Sequence, residues 1–373
     1  MGTRKVVFVL DAFGFFGGPE RRAFRLAKGM RASGFAVDIV SIMRADQKML
    51  ERAHLLGIGA YQLTDRGNSV LKSYRIDVFL KLRRLLGKLD PDMVFTFEFL
   101  ADYTAKMAML DSDIPFYTFI GSTRWKWERK RHRRFFMRRF VGKSRAYIVN
   151  SRQVMENLVR VLPESAHKVH LLYNPIETDI FHPLDQQAKM EAKKRFGLDD
   201  SFKVVGSVVR FFNPKGADVL IKAFSRLKRE PCKLLLVGDG SMRGRLERMV
   251  EELDLKGMVI FAGAMEATSE VYGAFDISVV PSQKGGFDNV VVESMACGLP
   301  TVATAETGIG ELAKDGEHLL ITKKDADSIG KAIQRLLSDE GYAERLAINA
   351  RKFVEDQLSL ERVTQRLVEI LNR

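Results

Sequence analysis

The sequence predicts an α/β protein built from two Rossmann-like, doubly wound units. Three observations carry this expectation. Short apolar runs of strand length alternate with segments whose apolar residues recur at helical spacing. That alternation pauses near residue 183 and starts afresh at Lys203. At 373 residues, the chain also exceeds what a single hydrophobic core usually holds.

Val6–Leu10 reads as a buried strand, followed by a turn carrying Gly14, Gly17 and Gly18. Pro19 and Glu20 open a helix with Ala23, Leu26, Ala27 and Met30 on its apolar face, and Gly34 ends it. Ala36–Ile42 is the next strand, which completes one strand–turn–helix–strand unit and so the seed of a parallel sheet. The pattern continues with a helix around 75–88, strand Met93–Phe97, helix 101–110 and strand Phe116–Ile120. A basic helix over 124–140, strand Ala146–Val149, helix 151–160 and strand Val169–Leu172 complete the first round. Residues 184–198 are polar and helix-prone. The second round runs through strands Lys203–Val209, Lys233–Val237, Val259–Phe261, Ile277–Val280 and Thr301–Ala303. Helices over 216–229, 241–253, 268–274 and 289–297 lie between or beside them, and helices from 325 on close the chain. The expected domains are 1–183 and 184–354, with a last helix at about 355–373 packing back on the first.

Hydrophobic content of 46% and charged content of 29% belong to an ordinary globular protein. Cys232 and Cys297 make no disulfide framework, and no Cys/His cluster has metal spacing. Both read as buried apolar residues in a reducing compartment. The apolar run Val6–Leu10 is too short for the core of a signal peptide, and no stretch approaches the length of a membrane span. A soluble or peripherally bound protein is expected. The net charge of +13 favours an anionic partner. Its source is local: residues 124–143 hold ten Lys/Arg against the single acid Glu128.

Three loops carry chemistry. The turn at Gly14, Gly17 and Gly18 lets backbone approach a phosphate or sugar at a helix N-terminus, or is a plain tight turn. It lacks dinucleotide-fingerprint spacing. In the second unit, Arg210 and Lys215 bracket a turn at the carboxyl end of a parallel strand, where open sheets bind ligands. Arginine grips two phosphate oxygens and lysine acts as a point charge, so the pair fits a pyrophosphate; a solvated loop is the alternative. A third loop runs from Pro281 through Gly285, Gly286, Phe287 and Asp288 into a helix starting near Asn289. The amides of Asn289 and Val290 face an anion there. Glu293 lies one turn in, amid apolar neighbours, where a vicinal diol would satisfy its carboxylate; otherwise it points to solvent.

These motifs stand in an order that resembles the retaining GT-B glycosyltransferases of family 4, which include lipopolysaccharide-core and phosphatidylinositol mannosyltransferases. The resemblance rests on Gly17-Gly18-Pro19-Glu20 with Leu26-Ala27, and on Tyr173-Asn174-Pro175-Ile176-Glu177 through Phe181 and Pro183. Arg210 to Gly216, Gly238-Asp239-Gly240, Phe261-Ala262-Gly263 and the stretch 281–303 complete it, so it covers nearly the whole chain. It implies two Rossmann-like domains facing a cleft. It further implies that Arg210 and Lys215 hold the diphosphate of a UDP- or GDP-sugar, helped by the amides of Asn289 and Val290. Glu293 would bind the ribose hydroxyls, the backbone after Gly263, at Ala264 and Met265, would meet the base, and Gly17 and Gly18 would line the cleft. No metal or other cofactor is implied, since cations and helix ends neutralise the leaving group.

Two departures fall on the sugar pocket. The family usually has a Glu eight residues before Glu293, where this chain has Gly285, and many members have a His where this chain has Ile120. Gly286 and Phe287 keep the pattern, and Asp288 and Glu98 are the candidates to supply the missing carboxylate.

In the basic segment, Trp125, Phe136 and Phe140 fall within about 60° on a helical wheel. Arg124, Trp127, Arg133 and Arg134 surround them, which suits an element lying at an anionic membrane surface. Recognition of a phosphorylated acceptor, a solvated helix and nucleic acid are the competing accounts. The expected activity is transfer of a sugar to a membrane-associated glycolipid or polysaccharide, as in lipopolysaccharide synthesis, at the inner face of the cytoplasmic membrane. The alternatives are a turnover-deficient fold that binds nucleotide or lipid as a partner, a nucleic-acid binder, and a sugar-nucleotide epimerase.

Overall fold

A computed structural model of the chain describes residues 3–14, 18–64, 76–121, 131–213, 215–283 and 287–372, leaving out the side chains of 131–134. The chain divides into two compact units, residues 1–175 with 360–373, and residues 176–359.

The first unit has a seven-stranded parallel sheet in the order β3-β2-β1-β4-β5-β6-β7. Its strands are β1 Lys5–Leu10, β2 Ala36–Ser41, β3 Gly59–Gln62, β4 Met93–Phe97, β5 Phe116–Ile120, β6 Ser144–Val149 and β7 Val169–Leu171. β1 and β4 are buried almost throughout, as strands covered by helices on both faces must be. One face packs on the helix Gly18–Ala32 through Ala23, Leu26, Ala27 and Met30. Val363, Leu367 and Leu371 of the last helix, Leu360–Leu371, join that same cluster. The helix pair packs so closely that a Cβ on Gly29 would stand 2.0 Å from the Thr364 hydroxyl. The other face packs on Ile76–Leu89 and Phe99–Ala108 through Leu82, Leu86, Ala101 and Ala105.

The second unit repeats the plan with six parallel strands in the order β10-β9-β8-β11-β12-β13. These are β8 Lys203–Val208, β9 Cys232–Val237, β10 Val259–Gly263, β11 Ile277–Val280, β12 Thr301–Thr304 and β13 Leu320–Thr322. Leu220, Ile221, Phe224, Ile329 and Ile333 cover one face from the helices Ala217–Phe224 and Ala326–Ser338.

Three elements escape the sequence pattern: the helix Gln47–Leu55 and the short edge strands β3 and β13. All four residues of β3 are half-buried, so no run of apolar residues marks it. The division between units falls at Pro175/Ile176 rather than near 183. Residues past Pro175 are tied into the second unit: Ile176 donates its amide to the Leu358 carbonyl, and Ser269 Oγ accepts from the His182 amide. Arg351 donates to the carbonyls of Thr178, Phe181 and Ala296.

Candidate active site

In a doubly wound sheet, chains leave two adjacent central strands in opposite directions, which opens a crevice at their carboxyl ends. In the second unit those strands are β8 and β11. Gly216 follows β8 with φ +82°, and a Cβ there would lie 1.9 Å from the Pro281 carbonyl oxygen, at the end of β11. Only glycine allows the two loops to approach this closely.

Arg210 is exposed and its guanidinium lies 4.6 Å from the Phe212 ring centroid. Lys215 Nζ sits 2.9 Å from Asp288 Oδ2, with the lysine partly exposed and the aspartate nearly buried. Ser282 Oγ donates to the same oxygen at 2.9 Å, and the Val290 amide donates to Asp288 Oδ1 at 3.3 Å. Burial pushes the Asp288 carboxyl up, but the Lys215 ammonium, the Ser282 hydroxyl and the Val290 amide outweigh it and hold the group below its usual range. Asp288 is therefore the N-cap of the helix Asn289–Ala296 and the counter-ion of Lys215.

Without a ligand, then, Asp288 is engaged by Lys215, Ser282 and the helix cap, and the Val290 amide is donated to that cap. Glu293, on the same helix, is fully buried, which removes the solvent-facing alternative. Tyr272 Oη donates to its Oε2 at 3.0 Å. Phe287 is buried, and Gly285 and Gly286 lie outside the described residues. Gly263 ends β10 at φ +80°, its carbonyl accepting from the Gly238 amide at 2.8 Å; Ala264 beyond it is exposed and Met265 half-buried. Among the described residues, no group of three or more His, Cys, Asp or Glu is placed to hold a metal ion.

In the first unit the central pair is β1 and β4. Asp11 follows β1, and Glu98 follows β4 with φ +70° and ψ 178°. Asp11 Oδ1 accepts from the Ala101 amide at 2.7 Å, in the first turn of Phe99–Ala108. Burial, then the charges of Glu98 and Glu20, push Asp11 up to about 8. Burial and Glu20, opposed by Arg22, push Glu98 up to about 7. Arg22 is buried; its Nη2 donates to the Leu172 carbonyl at 3.0 Å and burial lowers it to about 9. Sequence reasoning missed Asp11, Glu20 and Arg22 as site residues. The available signal was an acid directly after each of two apolar strands, VVFVL-Asp11 and MVFTF-Glu98.

Gly18 starts its helix exposed, in open space where a Cβ would meet nothing within 4 Å, and Gly17 lies outside the described residues. Ile120 ends β5 buried among Phe99, Phe136, Tyr147 and Val149. The described part of the basic helix is Arg131–Phe140. Phe136 is buried in that cluster, and Phe140 is half-buried against it with ring centroids 4.4 Å apart. Both rings therefore serve the core and not a lipid surface, because the helix turns its 136/137/140 side inward. Phe135, 72% exposed, faces out with Arg138 and Arg139. Arg124, Trp125 and Trp127 lie outside the described residues, as do the side chains of Arg133 and Arg134.

The family description "Glycosyltransferase Family 4" matches residues 16–180, and "Glycosyl transferases group 1" matches residues 188–353. The chain belongs to the family 4 glycosyltransferases. An uncharacterised glycosyltransferase of Methanocaldococcus jannaschii is 30% identical over 230 residues, 60% of this chain and 58% of that one. The lipopolysaccharide core biosynthesis glycosyltransferase LpsE of Rhizobium meliloti is 34% identical over 169 residues, 45% of this chain and 49% of that one. These matches span only about half the length of the curated relatives. The crystal structure of Anabaena HepE with UDP and glucose shares the GT-B fold at TM-score 0.85 and 19% identity, covering 99% of each chain.

Proposed function

We propose that this family member transfers a sugar, with retention at the anomeric carbon, from a UDP- or GDP-sugar to a membrane-associated glycolipid or polysaccharide. The observation that carries the reading is the second unit's switch point, where Arg210, Lys215 and the start of Asn289–Ala296 converge around loops that only Gly216 lets meet. Arg210, exposed beside the Phe212 ring, supplies the bidentate grip on a diphosphate. Lys215 supplies a second positive charge once a phosphate oxygen competes with Asp288. As the glycosidic bond to the diphosphate breaks, charge grows on the leaving oxygens, and fixed cations stabilise it without reorganisation. No metal ion is required by this arrangement, and Glu293 takes the ribose diol in place of, or beside, the Tyr272 hydroxyl. HepE was solved with UDP and glucose, which supports the donor class.

The acceptor side rests on LpsE's part in lipopolysaccharide core synthesis and on the cationic helix Arg131–Phe140. Among the described residues no helix is long and apolar enough to cross a membrane. Phe135, Arg138 and Arg139 form the surface we assign to anionic lipid at the inner face of the cytoplasmic membrane.

Calorimetry with UDP and GDP tests the donor site, and nucleotide release from UDP- and GDP-sugars with lipid extract tests turnover. Binding of either nucleotide with subsequent transfer is expected; no binding of either defeats the reading. The buried, apolar Ile120 favours a second account, a fold that binds nucleotide without turnover. Binding without any release would select it.

A further inference from the structure

In the second unit, Glu293 is fully buried on the helix Asn289–Ala296. Burial fixes where this side chain lies but not how its carboxyl plane is turned, because the terminal torsion of a glutamate is broad. The Tyr272 hydroxyl supplies that constraint by donating to Glu293 Oε2 at 3.0 Å, across 21 positions of sequence. Tyr272 is fully buried too, and its ring meets those of Phe275 and Phe181 edge-on, with centroids 5.8 and 6.1 Å away. The short helix that carries it, Ser269–Gly273, is fastened at both ends. Ser269 Oγ donates to the Ile180 carbonyl at 2.6 Å and accepts from the His182 amide at 2.8 Å. At the other end a Cβ on Gly273 would stand 2.5 Å from Leu184 Cδ1, so the backbone lies directly against that side chain. The phenol is thus locked by packing and by its helix before it reaches the carboxyl.

We infer that Tyr272 is a positioning residue, which aims the Glu293 carboxyl at the 2′- and 3′-hydroxyls of the donor's ribose and so sets the site's preference for a ribonucleotide. This rests on the donor site proposed above and goes beyond it by naming the group that prepares the ribose contact. A carboxylate has about four acceptor sites on its two oxygens. Tyr272 takes one on Oε2, and the two hydroxyls of a vicinal diol donate to others. A carboxyl already held in one orientation loses little freedom when the diol arrives, whereas one left to turn must first be ordered. A hydroxyl also orients the carboxyl without neutralising it, as a lysine or arginine in its place would do. Positioning and packing make different demands. A residue that only packs affects every nucleotide alike, and one that aims Glu293 affects only those that carry the diol.

The test is calorimetry with UDP and GDP and with the 2′,3′-dideoxy analogue of each, read as the ratio of the two affinities. The unsubstituted protein should prefer the ribonucleotide, and Glu293→Ala should erase that preference. Tyr272→Phe, which keeps the ring and removes only the hydroxyl, should cut the preference about tenfold and leave the dideoxy affinity nearly unchanged. The double variant Tyr272→Phe/Glu293→Ala should match Glu293→Ala alone, because Tyr272 acts through that carboxyl. Leu246→Val, in a core cluster that includes neither residue, should lower thermal stability and leave the ratio intact. A full preference in Tyr272→Phe, with none in Glu293→Ala, overturns the positioning role and leaves the donor site standing. Equal losses for ribo and dideoxy ligands in Tyr272→Phe overturn it as well, since they mark a packing role. No preference in the unsubstituted protein would instead strike the ribose assignment of Glu293, and the inference with it.

Discussion

The two switch points share a backbone plan and oppose each other in charge. In the first unit, β1 and β4 end in the carboxyls Asp11 and Glu98 over a buried guanidinium. In the second, β8 and β11 lead to an exposed guanidinium, an ammonium and a capped helix start. A lysine–aspartate pair accompanies each crevice and sharpens the contrast. Lys106–Asp102 in the first unit is almost sealed, at 1% and 6% exposure, and Lys106 also donates to Ser144 Oγ at 2.7 Å and Thr118 Oγ1 at 3.2 Å. Lys215–Asp288 keeps the lysine 24% exposed. The fold fixes where a ligand meets the sheet, and the residues placed there fix which ligand it is. A sealed pair holds the fold; a half-open pair is available to a substrate.

The largest effect should come from breaking the sealed pair. Lys106→Met leaves Asp102, which also accepts from Thr96 and Thr118, as an uncompensated buried charge. A loss of about 3–5 kcal/mol is expected from denaturant titration. The double variant Lys106→Met with Asp102→Leu should recover most of it, because no charge is then stranded. Nucleotide affinity of the folded fraction should not change. Lys215→Ala is expected to behave in the reverse manner. It should weaken UDP or GDP binding by about 2–4 kcal/mol, roughly 30- to 1,000-fold, as should Glu293→Ala. Since Lys215→Ala also strands Asp288, Lys215→Ala/Asp288→Asn separates the two effects: stability should return and affinity should not. If the double variant binds nucleotide normally, the cationic grip is misassigned.

The two sites should also answer pH with opposite signs. Asp11 and Glu98 are raised, to about 8 and about 7, so the folded state holds protons that the unfolded state has released. Their contribution is full below the ordinary carboxyl range and is lost as pH climbs through the folded values. Asp288 is lowered, so its contribution is present above the ordinary carboxyl range and is lost only as pH falls through its depressed value. Thermal unfolding from pH 5 to 9 should therefore show stability declining by an amount on the order of a few kcal/mol. Asp11→Asn with Glu98→Gln should flatten that slope, and Asp288→Asn should leave it alone. A slope untouched by the first pair would mean that the carboxyls are not perturbed in solution.

Much of the second site was legible because its parts lie in short continuous motifs. Arg210, Lys215 and Gly216 follow one strand, and Asp288 through Glu293 follow another. The pairing of Lys215 with Asp288 was not legible, since it joins loops 73 positions apart whose meeting depends on strand order. In the first unit Glu98 was legible as a candidate carboxylate, but its neighbour Asp11 was hidden for the same reason. Asp11 and Glu98 become neighbours only because β1 pairs with β4, skipping two intervening strands. Arg22 reads in sequence as one more surface cation of a helix rich in arginine. The inward turn of Phe136 and Phe140 failed for a different cause. A helical wheel gives spacing but not phase, and here the core took the aromatic side while cations lined the other.

That exposed side offers the smallest and last test of the contrast. The basic outer helix is the part that the proposed function assigns to anionic lipid. Phe135, 72% exposed, is the ring available for insertion, and Phe136 is not. Phe135→Ser should weaken partition onto vesicles containing anionic lipid by about 1–2 kcal/mol, and salt should change that loss little, because it is apolar. Arg138→Glu should weaken partition by a comparable amount at low salt and by less at high salt, because its part is electrostatic. Phe136→Ser should instead lower thermal stability, since it removes a ring packed against Phe99, Tyr103 and Phe140. Sedimentation with phosphatidylglycerol vesicles separates the three outcomes. Binding by the Phe135 and Arg138 variants equal to that of the unsubstituted protein would remove this helix from the membrane and return its charge to solvent.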